Sequence, residues 1–186
     1  MDTVRQRLQL KFDEINALIT MLSYGGFDKD YARQLFRDCL TDAYIEGFAA
    51  AEYMLQEEQD IEDNLLYFAL DKEYDGESIY EKFLDYYENG DSEKLKVLTE
   101  SEFHRVYSQG GLDMADTVEA TGRNVYKTWE TMQDDRVRET HDYLEGMTIP
   151  VREKFKTLDM DEADAPGGFT LPENNVNCRC WLSYST

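Results

Sequence analysis

The chain has 186 residues, 41% of them hydrophobic and 13% aromatic, which is enough to bury a sizeable core and excludes a disordered polymer. Its formal net charge is −21, with 40 Asp and Glu against 19 Lys and Arg, so a broad face for duplex DNA is not expected. No apolar run approaches the ~18 residues that span a bilayer, and the opening "MDTVRQRLQLKFDEI" lacks the apolar core of a signal peptide. No membrane association is therefore expected, and the setting predicted for the three cysteines is cytosolic and reducing.

Val4, Leu8, Phe12, Ile15, Leu18, Ile19 and Leu22 fall at helical spacing and predict a first helix, stopped by Gly25-Gly26. Asp28 or Asp30 can cap a second, whose apolar positions run from Leu35 and Phe36 through Cys39, Tyr44 and Phe48 to Leu55. The small residues Gly47, Ala49, Ala50 and Ala51 would let a neighbouring helix come close. Cys39 on that apolar stripe reads as a buried, inert thiol. A third helix is expected from about Ile61 to Leu70, ending near Gly76, and a fourth from about Ser78 to Glu88.

Residues 57–93 hold fourteen Asp and Glu and two Lys, which is either a solvated helical surface or a patch facing a basic partner. Tyr67, Tyr74, Tyr80, Tyr86 and Tyr87 could stack bases, but among so many carboxylates packing is the better reading.

"TESE", Thr99 to Glu102, has the form of a capping box and predicts a helix start, with a break at Gly110-Gly111 and a further short helix closed by Gly122. The pattern then changes. "NVYKTWETM" predicts a strand over Val125–Thr131, and "DDRVRETHDYLEG" a short helix capped by Asp134 or Asp135. "MTIPV" predicts an edge strand, because Pro150 cannot donate to a ladder. A polar Gly/Pro loop follows, and "CRCWLSY" reads as a final strand that would point Cys178 and Cys180 to one face. The expected fold class is α+β: a mostly helical, acidic N-terminal part over 1–121 and a small mixed α/β C-terminal module over 122–186, sharing a core.

Three residue types that can carry chemistry meet in the second part. His141, Cys178 and Cys180 could supply three of zinc's four ligands, with Asp134, Asp135, His104 or water as a fourth. Core packing and a redox thiol pair are the alternatives, and no local motif supports a Cys/His protease. Arg136 and Arg138 can form bidentate pairs with carboxylates, in an ion-pair network or a catalytic Asp–Arg–His set. Neither Gly110-Gly111 nor Gly167-Gly168 has the context of a phosphate loop.

The order Lys127, Trp129, Asp135, Arg136, Val137, Arg138, His141, Leu144, Gly146, then Phe155, Ala165, Pro166 and the terminal Asn177-Cys178-Arg179-Cys180, resembles the phage head-morphogenesis family of the Mu F and SPP1 gp7 type, the minor head proteins. Upstream, "LTESEFHRVYSQG" resembles the family's helix at Thr99 and Glu100, so the likeness covers about residues 97–182. It implies a minor capsid protein of a tailed phage or prophage, present in few copies and linked to the portal, DNA packaging and DNA delivery. Its expected place is the virion head or procapsid, and the host cytoplasm during assembly.

The resemblance implies no catalytic residue. It makes Trp129, Asp135, Arg136, Arg138, His141, Gly146 and Asn177 a structural signature, and brings Cys178 and Cys180 near His141. Some relatives carry toxin domains, and none is expected after Leu182. The partners expected are portal, capsid or scaffold proteins, met by the N-terminal helices. Two other functions stay open: a hydrolase or group-transfer enzyme using Asp135, Arg138, His141 and the cysteine pair, and a zinc-stabilised interaction module without catalysis.

Overall fold

The computed structural model of the protein describes residues 2–186. The side chains of Val4, Leu8 and Phe12, three positions of the expected first stripe, lie outside the described residues. Helix α1 (Asp2–Ser23) buries Ile15, Ile19 and Leu22 on one face. Helix α2 (Lys29–Leu55) is capped by Asp28, whose carboxylate accepts from the Asp30 N–H. Helix α3 (Asp63–Leu70) stops at Leu70, and the chain then forms a small hairpin, β1 (Glu73–Tyr74) and β2 (Glu77–Ser78). Asp75 and Gly76 at its tip both have positive φ, which is the hairpin-turn conformation that Asp-Gly favours. Helix α4 (Ile79–Glu88) opens on a complete capping box, Ser78 with Glu81.

The largest correction concerns the next segment. Helix α5 runs unbroken over 29 residues, Ser92–Ala120, and its N-cap is Asp91. Thr99 is not a cap: its hydroxyl donates back to the Leu95 carbonyl (2.8 Å) inside the helix. Glu102 is buried, paired with Arg105 (2.9 Å) and accepting from the Tyr74 hydroxyl. Gly110-Gly111 does not break the helix either. A Cβ at Gly110 would lie 2.2 Å from the Tyr44 carbonyl oxygen, and one at Gly47 would lie 1.9 Å from the Tyr107 carbonyl oxygen. The two glycines are where α2 and α5 cross with backbones touching, so the sequence's helix breakers are a packing device.

After Gly122 (φ +96°) comes a three-stranded antiparallel sheet in the order β4-β3-β7. Strand β3 (Tyr126–Glu130) is central, β4 (Thr148–Pro150) is an edge as Pro150 requires, and β7 (Trp181–Ser185) pairs Leu182 opposite Trp129. The short helix α6 (Glu139–Asp142) starts later than expected. Its N-cap is Arg138, and neither Asp134 nor Asp135 caps it. Strands β5 (Phe155–Lys156) and β6 (Glu162–Ala163) form a second hairpin, and α7 (Pro172–Asn175) leads into the terminal segment. Cys178 and Cys180 precede β7 and are not part of it.

α2 and α5 make the most extensive helix contact, with α1, α3 and α4 packed around them. Strand β7 docks on both α2 and α5, and a Cβ at Gly111 would lie 2.9 Å from the Tyr184 hydroxyl. One buried cluster therefore runs from Ile15 in α1 to Tyr184 in β7. The fold is α+β, with the small sheets confined to the C-terminal part apart from the β1–β2 hairpin.

Candidate functional site

Trp129 is fully buried on the central strand and sets the floor of the site. Its ring meets Phe155 edge-on (centroids 5.1 Å) and His141 edge-on (5.4 Å), while Phe169 closes the other side of His141 (5.4 Å). The Gly146 N–H donates to the Trp129 carbonyl (2.8 Å), and Gly146 has φ +72°, a backbone state that glycine reaches without strain. This turn carries the chain from α6 back into β4.

The imidazole of His141 points Nδ1 at both cysteines. Nδ1 lies 3.5 Å from the Cys178 sulfur and 3.5 Å from the Cys180 sulfur. All three side chains are buried, and their donor atoms lie within 4.8 Å of one another. The expected convergence of Cys178 and Cys180 on one side is found, although the two residues lie outside the strand ladder.

Two grips on backbone carbonyls and one ion pair hold the segment in place. The Arg138 guanidinium donates to the Val176 carbonyl (2.6 Å), His104 Nε2 in α5 donates to the Cys180 carbonyl (2.5 Å), and Arg179 pairs with Asp134 (2.6 Å). Asn177 sits at φ +57°, a left-handed turn that asparagine tolerates better than branched residues, and it aims the next two residues inward.

These contacts decide the other candidates. Arg138 serves a carbonyl and not a carboxylate, and the Arg136 guanidinium makes an exposed, 3.5 Å contact with Asp134, whose carboxylate also accepts from the Arg136 N–H (3.1 Å). Asp134 is engaged by Arg179, which holds its carboxyl down at about 2 through a charge-assisted hydrogen bond. Asp135 is exposed, and nothing among the described residues accounts for its place in the signature. His104, Asp134 and Asp135 thus stand outside the sulfur–imidazole cluster.

Burial alone would raise the Cys178 thiol, but the Cys180 thiol and the His104 and His141 imidazoles outweigh it and hold Cys178 well down. Cys180 is driven up by the Cys178 sulfur and by burial. Cys39 is a separate case: burial, then Asp42, push it to about 12, in keeping with an inert thiol.

Two residues support the site from outside it: Asp161, which carries no sequence motif, and Lys127, a position of the family resemblance. Asp161, nearly buried, accepts from the backbone N–H groups of Glu162, Thr170 and Leu171 and from the Asn174 side chain. Burial works against its charge, and those four donors still keep it below the usual carboxylate range. It folds the 157–174 loop and so presents Phe169 to His141. Lys127 is buried with its ammonium on the Asp164 carbonyl (2.8 Å) and over the Phe155 ring, and desolvation lowers it to about 8.

The space beside the cluster is small, about 10 Å³, lined by His141, Asn177, Cys178 and Cys180 with the Arg136–Arg138 turn. A larger open groove of about 640 Å³ lies between the β1–β2 hairpin, α5 and residues 167–176, and it includes neither His141 nor the cysteines.

The family model described as phage Mu protein F like protein matches residues 34–183. That is wider than the 97–182 stretch that carries the signature and takes in most of α2 and all of α3 and α4. Among curated proteins, the minor head protein GP7 of Bacillus phage SPP1 is 33% identical over 91 residues, 49% of this chain and 29% of that protein. The NAD(+)–arginine ADP-ribosyltransferase EFV of Enterococcus faecalis is 37% identical over 59 residues, 32% of this chain and 12% of that enzyme. The chain thus spans well under half of either relative's length. No solved structure matches.

Proposed function

The chain belongs to the phage Mu protein F like family, and from that premise we propose that it is a minor head protein of a tailed phage or prophage. It acts in head morphogenesis, contacts the portal and the capsid or scaffold, and serves DNA packaging or delivery. The observation that carries this reading is the family match across 34–183, joined by the likeness to a phage minor head protein. Its place of action is the procapsid and virion head, reached through the host cytoplasm.

Within the chain, the helices of 1–121 are the partner-binding part and 122–186 is the module that braces them. Support comes from the exposed aromatic residues Tyr24, Tyr53, Tyr67 and Phe68, which stand on α2 and α3 or just after α1. The charge of −21 sets this surface against direct duplex binding and toward protein partners with basic faces.

The enzyme reading is weaker on geometry. His141 and the cysteines are buried beside a space of about 10 Å³, Arg138 is spent on a backbone carbonyl, and Asp135 is exposed. A substrate pocket is typically on the order of 300 Å³ or more. The likeness to the ADP-ribosyltransferase covers 12% of that enzyme. The test is co-purification of the tagged full chain with the portal protein of the same phage. Retention at moderate salt supports the proposal, and no binding to portal, capsid or scaffold proteins removes it.

A further inference from the structure

We propose that His141, Cys178 and Cys180 hold one zinc ion, with His141 Nδ1 and both sulfurs as ligands and a water as the fourth. The distances are those of a tetrahedral site. Zinc with bonds of about 2.3 Å to sulfur and about 2.0 Å to nitrogen places those two ligand atoms about 3.5 Å apart. Both sulfurs are found 3.5 Å from the same nitrogen. A hydrogen bond explains one such contact, since an imidazole nitrogen has one lone pair in the ring plane. A cation between the three atoms explains both.

The surroundings fit a site more closely than they fit plain packing. Two small apolar contacts would not need the backbone fixed on both sides of Cys178, yet polar side chains grip the carbonyls of Val176 and Cys180, and the Arg179 side chain between the cysteines is paired with Asp134. The left-handed Asn177 then turns the sulfurs inward. The free space of about 10 Å³ touches all three ligands and is the size of one water. Two thiolates cancel the dipositive ion, so the loaded cluster can be buried without a leftover charge. Any thiol still protonated releases its proton to solvent as the ion enters. The ion would clip the last strand to α6, joining residues distant in sequence.

The test uses the full chain, kept reduced, stripped with a chelator and titrated with zinc against a chromophoric competitor, then with cobalt(II). The expected result is one equivalent bound and a cobalt spectrum with thiolate charge-transfer and four-coordinate bands. Cys178→Ser and Cys180→Ser should each bind on the order of 100-fold more weakly. If a variant fails to fold, the cobalt spectrum of the unmodified chain still decides, because its charge-transfer intensity counts thiolates. A chain that unfolds on stripping and refolds with one equivalent also supports the site. A folded, reduced chain that takes up no zinc, a Cys178–Cys180 disulfide in its place, or equal binding by the double Cys→Ser variant overturns it.

Discussion

Asp161 shows how one side chain can hold up a site it does not touch. Replacing it with alanine leaves three backbone N–H groups without their acceptor and leaves the Asn174 amide with Asp159 alone. Asp161→Ala should cost about 3 kcal/mol, read as a shift in the denaturant midpoint, and should loosen Phe169 from His141. Asp134 gives a pH signature. Its folded carboxyl sits at about 2, below the ordinary ~3.9, so the folded state binds fewer protons between those values. Its contribution is present above about pH 4 and lost as the pH falls toward 2. Because the side chain is one-third exposed, that contribution is under about 1 kcal/mol. Asp134→Asn should make the acid limb of the stability curve shallower by that amount, and an unchanged limb would place the Arg179 pair outside the energetics.

Residues of this kind differ in how legible they are. His141, Cys178 and Cys180 stood out by type and order, and the structure brings them together. Asp161 looked like any other acid in "DMDEADAP", because its importance lies in donors up to ten or more residues further along.

At the scale of elements, the apolar spacing of α1, α2 and α4 and the change to β-branched and aromatic residues at β3 were readable, since local periodicity encodes them. Helix α5 was not. "TESE" satisfied a cap pattern and Gly110-Gly111 a break pattern, and each carries a local cost, about 1 kcal/mol per glycine relative to alanine. What overrides that cost is the crossing with α2, a contact between residues about 60 positions apart. The added Cβ at either glycine would meet backbone, which cannot rotate away. Gly110→Ala and Gly47→Ala should each destabilise by about 3 kcal/mol, at the upper end for overpacking, despite alanine's higher helix propensity. Thermal unfolding checks this, and a stabilised Gly110→Ala variant would mean that the helices do not touch there. Helix α5 carries Gly110 at this crossing and also His104, which grips the Cys180 carbonyl, so it ties the helical part to the terminal segment.

For the whole molecule, the fold is one core with two kinds of surface. The helices expose aromatic residues, among them the adjacent Tyr67 and Phe68, while His141, Cys178 and Cys180 are buried beside the terminal strand. Loss of the helical contacts through salt is expected if the acidic surface carries the partner: portal co-purification should weaken as ionic strength rises, since exposed charges are screened over about 8 Å at physiological salt. Salt-independent retention would point to the exposed aromatic residues instead.

The central claim, that this is a component of a phage head, is tested most directly by quantitative mass spectrometry of purified procapsids and mature particles from the phage or induced prophage that encodes it. The account predicts the chain in head particles at a few copies per portal ring. Its absence from both, with portal and major capsid proteins detected, would contradict it.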